Sequence, residues 1–262
     1  MKKYRKNLKA LFTMMSSNEG TLFTYAFAYS LIVGIAPILI LAVVFIGKYV
    51  VPVEQLISFL QRYIPKDLIE PFVLYISASN FDNLGLLITL FAASVWVGSK
   101  SIYSFLILSS EQDQVSVNGW LLRGLSVAYF LLILVGVASV GLVMGFFDFS
   151  YKLFVIPLVI GFFMVFYRLM SFRYTKWREV LPGAIIAALI LLLLGQLFFV
   201  YINRFTNYQT IYGPLASIMI LLISGWFIAW IIFFGYSINY VFRDNESELP
   251  EKNRLIRFLT KF

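Results

Sequence analysis

An all-α polytopic membrane bundle, with six transmembrane helices and additional amphipathic helices on the membrane surface, is the architecture predicted for this 262-residue chain. Three observations predict it. Hydrophobic residues make up 61% of the sequence and charged residues only 13%. A soluble domain is about half apolar and about a quarter charged, so too few polar side chains exist here to coat a water-facing surface. Apolar runs recur six times, several of them longer than the roughly 20 residues a helix needs to cross a hydrocarbon layer about 30 Å thick. Finally, Lys and Arg collect on alternate sides of those runs.

Ahead of the first run, Tyr4, Leu8, Leu11, Phe12 and Met15 recur at helical spacing among Lys2, Lys3, Arg5, Lys6 and Lys9. That pattern predicts an interfacial helix within residues 1–20. The runs follow as Thr24 to Tyr49, Leu84 to Leu108, Leu121 to Phe147, Leu153 to Met170, Val180 to Ile202 and Tyr212 to Phe242. Lipid offers backbone amides no partner, so each run is read as a helix that satisfies them internally. Between the first two runs, the loop from Lys48 to Asn83 carries a second amphipathic face of Val53, Leu56, Ile57, Leu60 and Ile64, interrupted at Pro65 and Pro71. Glu54, Asp67, Glu70 and Asp82 make this loop mildly acidic. The sixth run belongs to a 38-residue stretch without charge between Arg204 and Arg243, read as one long helix rather than two pieces broken near Gly225. Beyond it, Leu255, Phe258, Leu259 and Phe262, with Arg254, Arg257 and Lys261, predict a third interfacial helix.

The chain therefore reads as one membrane domain over residues 1–262: an interfacial helix in 1–20, the six-span bundle in 24–242 and a tail in 243–262. Placing the amino terminus inside puts sixteen Lys and Arg on the inner side and five outside. This asymmetry predicts that both termini are cytoplasmic. The first run is about twice the length of a signal-peptide apolar core and has no small-residue cleavage site, so it is read as a span. No sequence repeat stands out, although a three-plus-three division would give halves of opposite topology.

Several function classes are excluded by what is missing. The sequence has no His and no Cys, which removes the commonest general base, the thiolate nucleophile and the usual zinc and haem ligands. Glu111 and Asp113 lie two apart on a short loop, while Asp244, Glu246 and Glu248 lie on a polar tail, so neither group predicts a catalytic metal pair. Nucleotide-binding glycine motifs are absent. No catalytic residue, metal or cofactor is expected, and the chain is not read as an enzyme. The net charge of +8 points to anionic membrane lipids rather than nucleic acid. Phe172, Tyr174 and Trp177 among Arg168, Arg173, Lys176 and Arg178 are the aromatic and basic anchors expected at a membrane interface. The sequence gives no indication of an oligomeric state.

Polar groups set where a membrane makes them costly are the functional candidates. Lys100, within Trp96-Val97-Gly98-Ser99-Lys100-Ser101, is expected about two turns from the cytoplasmic end of the second span. It is either a lysine snorkelling to the interface or a cation facing a lipid phosphate or carboxylate, with Arg123 joining it from the third span. For Gln196 and Asn239, hydrogen bonding between helices competes with a substrate role. Pro37 within the first span, Pro157 early in the fourth, and Gly213-Pro214 before the sixth are candidate helix breaks. Gly34, Gly136, Gly141 and Gly145 allow close helix contact.

The segment Ala28-Tyr29-Ser30-Leu31-Ile32-Val33-Gly34-Ile35-Ala36-Pro37 resembles the first-span signature of the YihY/virulence factor BrkB family, formerly labelled ribonuclease BN. Further similarities follow in order: Trp96-Val97-Gly98-Ser99, Trp177-Arg178 with Leu181-Pro182-Gly183-Ala184, Tyr212-Gly213-Pro214-Leu215-Ala216-Ser217, and Gly235-Tyr236-Ser237-Ile238-Asn239. Together they cover residues 25–240. The chain departs from the family pattern at Gly34, where Ser is usual, at Ser237, where Glu is frequent, and at Gly225-Trp226, which only approximates a Trp-rich patch. The resemblance implies a bacterial plasma-membrane protein with six spans and a role in the envelope.

Two functions are consistent with these readings. One is a transporter or flippase for a phospholipid or envelope glycolipid, in which Lys100 and Arg123 attract the head group and Tyr29, Ser30, Ser99, Tyr212 and Asn239 line its path. The other is a non-enzymatic scaffold whose interfacial helices recruit envelope partners. Ribonuclease activity has no support in the residue inventory.

Overall fold

The computed structural model describes residues 2–49, 58, 84–146, 155–173, 175–205 and 215–243, which contain seven α-helices and no strand. They are α1 (Lys2–Met15), α2 (Asn18–Tyr49), α3 (Leu84–Gln112), α4 (Gly119–Phe146), α5 (Val155–Met170), α6 (Trp177–Phe205) and α7 (Leu215–Val241). The six apolar runs lie, in order, on α2 to α7. Among the described residues four segments are long and apolar enough to cross a membrane: Leu87–Gln112, Gly119–Val137, Trp177–Leu197 and Met219–Val241. The apolar part of α5, Ile156–Met170, is shorter. The predicted amphipathic face at 53–64, the tail helix after Arg243, and Tyr212, Gly213 and Pro214 lie outside the described residues.

Several helix boundaries follow from local chemistry. Ser17 joins α1 to α2: its Oγ accepts the Gly20 N–H at 3.0 Å and donates to the Met14 carbonyl at 2.8 Å. That is an N-cap, satisfying a backbone donor left over at the helix start. Pro157 is the third residue of α5, in the first turn, where a missing N–H leaves no bond unmade. α2 continues through Pro37, and α7 is unbroken through Gly225, as the charge-free stretch predicts.

The helices form a circuit. α2 packs most extensively along α3, α3 along α4, α2 also along α7, α7 along α6, and α6 along α5, while α4 and α5 touch more sparingly. In lipid the apolar effect gives no drive for helix association, so contact depends on shape and small residues. Gly34 and Gly98 meet backbone to backbone, and a Cβ added at Gly34 would overlap the Gly98 main chain. Gly183 and Gly235 do the same between α6 and α7. Gly136, also expected at a close contact, has no atom near an added Cβ, because its part of α4 has no close neighbour.

Among the described residues the best-packed core lies toward the end of the bundle that bears α1, called here the proximal end. Fully buried Phe105 of α3 meets Phe23 of α2 at 5.4 Å, Phe166 of α5 at 5.4 Å and Tyr236 of α7 at 4.8 Å between ring centroids, all edge to face. That geometry is the favoured one for ring quadrupoles. α1 lies across this end against α7 and the start of α2. Its predicted apolar face divides: Leu11 is buried, whereas Leu8 and Phe12 are 55% and 76% exposed. The helix is thus docked to the bundle by one edge and leaves an apolar edge outward.

Candidate functional site

Two polar constellations stand out, and they are distinct. The first is a clasp at the proximal end, centred on Asp113, whose carboxylate is completely buried. α3 ends in a Schellman motif: Gln114 takes φ 53°, its N–H bonds the Glu111 carbonyl at 3.1 Å, and the Val115 N–H bonds the Ser110 carbonyl at 2.9 Å. This turn fixes Asp113 at the helix end. Its Oδ2 accepts the Phe172 and Arg173 backbone N–H groups at 3.1 and 3.2 Å, between α5 and α6. Its Oδ1 lies 3.2 Å from Arg243 Nη1, past the end of α7, and 3.5 Å from Arg173 Nε. Arg243 Nη2 also donates to Ser171 Oγ at 3.2 Å. A non-glycine residue in the left-handed region costs roughly 1 kcal/mol, so Gln114→Gly should stabilise the bundle by about 0.5–1 kcal/mol in a chemical-denaturation titration.

Hydrogen bonds above the clasp join α3 to α7. The Tyr236 hydroxyl donates to Ser109 Oγ and the Tyr240 hydroxyl to the Gln112 carbonyl, each at 3.1 Å. Asn239 Oδ1 accepts the Gly183 N–H at 2.7 Å, next to Pro182, the proline inside α6. Thr175, Asn239 and Arg243 share a cavity of about 10 Å³, about the smallest space that admits one water. With its carboxylate buried, the clasp fastens three chain segments: the end of α3, the α5–α6 connection and the residue Arg243 after α7.

The second constellation is on the outer face of α3 and α4. Trp96, Lys100 and Tyr103 recur at i, i+4 and i+7 and so share one side of α3. Arg123, in the first turns of α4, donates through Nη2 to the Trp96 carbonyl. Its guanidinium carbon lies 4.1 Å from the Trp96 ring centroid and 5.8 Å from that of Tyr103. A cation stacked near both rings is held on the side of α3 that Lys100 shares. Lys100 itself is exposed, Trp96 is 54% exposed and Trp120, just before Arg123 on α4, is 83% exposed. Among the described residues no carboxylate lies within 4 Å of either cation.

Helix length is the main departure from expectation here. α3 does not stop near Leu108 but runs to Gln112, so Lys100 stands 12 residues, about 18 Å, from its end. That is more than three turns, not two. The polar residues past Leu108 are satisfied within the helix and against α7, with Ser110 Oγ donating to the Ile107 carbonyl at 2.8 Å and Ser109 bonded to Tyr236.

The other candidates do not gather around this pair. Ser99 is buried and donates to the Trp96 carbonyl at 3.1 Å, while Ser30 is buried in α2. Tyr29 is 64% exposed on α2. Asn239 lies at the Gly183 contact near the clasp, about 18 Å along the bundle from Lys100 by the Ser109–Tyr236 register. Gln196 is exposed on α6. Sequence reading missed the clasp: Asp113 was read with Glu111 as part of a short loop, and its partners are 60 and 130 residues away.

Apolar helices of spanning length, joined through glycine contacts and carrying few internal charges, define a polytopic α-helical membrane protein. The chain belongs to the virulence factor BrkB family, whose model matches residues 11–255. Among curated proteins, a UPF0761 membrane protein of Idiomarina loihiensis is 43% identical over 86 residues, covering 32% of this chain and 30% of the relative. A UPF0761 membrane protein of Stenotrophomonas maltophilia is 31% identical over 118 residues, 40% of this chain and 27% of the relative. One from Vibrio cholerae is 37% identical over 87 residues, 31% and 29% respectively. The matches thus span less than a third of the length of these relatives. No solved structure matches the chain.

Proposed function

We propose that this chain is a non-enzymatic protein of the bacterial plasma membrane, with both termini in the cytoplasm, that moves a phospholipid or envelope glycolipid between leaflets along the outer face of α3 and α4. The observation that carries this reading is the Lys100–Arg123 pair. Two like charges on one face of the bundle repel each other, more strongly at low dielectric, and a charge near the middle of a membrane helix, as Lys100 is in α3, is costly by a few kcal/mol. An anion between them relieves both penalties. In a bilayer the anion at hand is a lipid phosphate, with acyl chains that can stay in hydrocarbon beside the bundle.

The reading also has a route. The bundle axis is filled by the aromatic core near Phe105, so the path runs outside rather than through the middle. With the proximal end of α3 at the cytoplasmic interface, a head group drawn to Lys100 has climbed about 18 Å. It then faces roughly 12 Å of a hydrocarbon layer about 30 Å thick. Orientation rests on the Lys and Arg asymmetry, which places Arg173 and Arg243 of the clasp on the cytoplasmic side.

Purified protein in liposomes carrying a fluorescent lipid should accelerate loss of fluorescence to an impermeant quencher. Lys100→Ala should slow that acceleration about tenfold, the kinetic equivalent of one charge-assisted contact, with the thermal unfolding profile unchanged because Lys100 is exposed. Rates equal to protein-free liposomes would contradict lipid movement and favour a scaffold.

A further inference from the structure

We infer that the cleft between α1 and the proximal end of the bundle binds the headgroup of a phospholipid bearing a primary ammonium, its phosphate on Lys6 and Lys9 and its ammonium on Glu19. The cleft measures about 560 Å³, within the range of small-molecule sites. Its lining carries charges of both signs. Lys6 and Lys9 line it from α1, and Glu19 lines it from the first turn of α2. All three side chains are exposed and available. Leu108 of α3 and Phe233 of α7 supply apolar surface between them, suited to the glycerol and first methylenes of an acyl chain.

Membrane lipid is the occupant because of the outer edge of α1. Leu8 and Phe12, exposed on the same helix, form an apolar edge flanked by basic residues, the pattern of a helix lying in an interface. Headgroups of the leaflet at the proximal end are therefore the molecules at the mouth of the cleft. A purely anionic headgroup matches the lysines but sets its charge against Glu19. A trimethylated ammonium brings positive charge without an N–H to donate. A primary ammonium separated from a phosphate answers both walls with charge-assisted hydrogen bonds. The cleft is separate from the Lys100–Arg123 face, and occupancy here requires no lipid movement there.

The test is native mass spectrometry of the delipidated full chain with short-chain phosphatidylethanolamine, phosphatidylcholine or phosphatidylglycerol, with free phosphoethanolamine as a fourth probe. Phosphatidylethanolamine should bind about tenfold more tightly than the other two lipids, the worth of a hydrogen bond to a charged group. Glu19→Gln should remove that preference, and Lys6→Ala with Lys9→Ala should lower its binding by a similar factor. The surface positions of these residues leave the fold intact. Tighter phosphatidylglycerol binding indifferent to Glu19→Gln would overturn the inference in favour of a simple anionic-lipid surface. Equal binding of phosphatidylcholine would overturn it in favour of apolar adhesion. Free phosphoethanolamine binding as tightly as the lipid would overturn the membrane source.

Discussion

Asp113→Ala should destabilise the bundle by about 3–5 kcal/mol, the cost of removing one member of a buried charge network. Three donors converge on this carboxylate, two backbone N–H groups and the Arg243 guanidinium, and the Arg173 guanidinium lies 3.5 Å away as a second cation. Alanine leaves the Phe172 N–H buried without an acceptor, and it leaves two cations near one another with their shared counter-ion gone. Arg243, whose side chain is only 14% exposed, has little water to turn to. Denaturant titration of purified protein in mild detergent, followed by Trp fluorescence, measures the loss. A double-mutant cycle with Arg243→Ala should show strong coupling, because the second substitution removes a charge that the first has orphaned. A change below about 0.5 kcal/mol, the size usual for surface substitutions, would mean that the carboxylate is solvated.

Gly34→Leu should be at least as damaging, with a loss above about 3 kcal/mol, beyond the ordinary range for overpacking. Overpacked cores usually relax by moving a side chain. Here the obstacle is the Gly98 backbone, and α2 and α3 would have to separate along the most extensive helix pair in the bundle. α3 has little room to retreat, since Gly98 itself is covered by the Phe130 ring of α4. Gly136→Leu is the internal control. Space around Gly136 is open, so this substitution should change stability by no more than about 0.5 kcal/mol, although it adds the same side chain to a helix of the same bundle.

The contrast between those glycines marks how far sequence reasoning reaches. That apolar runs become helices is legible because hydrocarbon leaves the backbone no other partner. Which face of a helix meets another is not, since α2, α3, α4 and α7 are apolar nearly all round and carry little periodic signal. Gly34 and Gly136 therefore look alike until the helices are placed. α1 shows the same limit: its amphipathic pattern predicts an interfacial helix, yet cannot tell that Leu11 turns to the bundle while Leu8 and Phe12 turn away.

Among the candidate site residues, Lys100 was visible as a charge within an apolar run and Arg123 as one at the start of the next. Their juxtaposition depends on α4 starting part-way along α3, with Gly119 close to the Tyr103 hydroxyl, and no residue spacing reports that. Asp113 was hidden for a different reason. In Glu111-Gln112-Asp113-Gln114 every residue is polar, and the local sequence reads as a solvated turn. Only the meeting of the α3 end, the α5–α6 connection and the α7 end makes Asp113 a buried counter-ion. Asn239 was recognised as polar within an apolar helix, and its bond to the Gly183 N–H is the interhelical role weighed for it.

In the proposed function a lipid phosphate sits between Lys100 and Arg123. Phosphorus–nitrogen dipolar recoupling in bilayers measures this directly, using protein labelled with ¹⁵N at the lysine side chains and compared with Lys100→Gln. A lysine ammonium should appear at ion-pair distance from lipid phosphorus, disappear in the variant and weaken when Arg123→Ala removes the second cation of that face. A recoupling curve identical in all three proteins would contradict it.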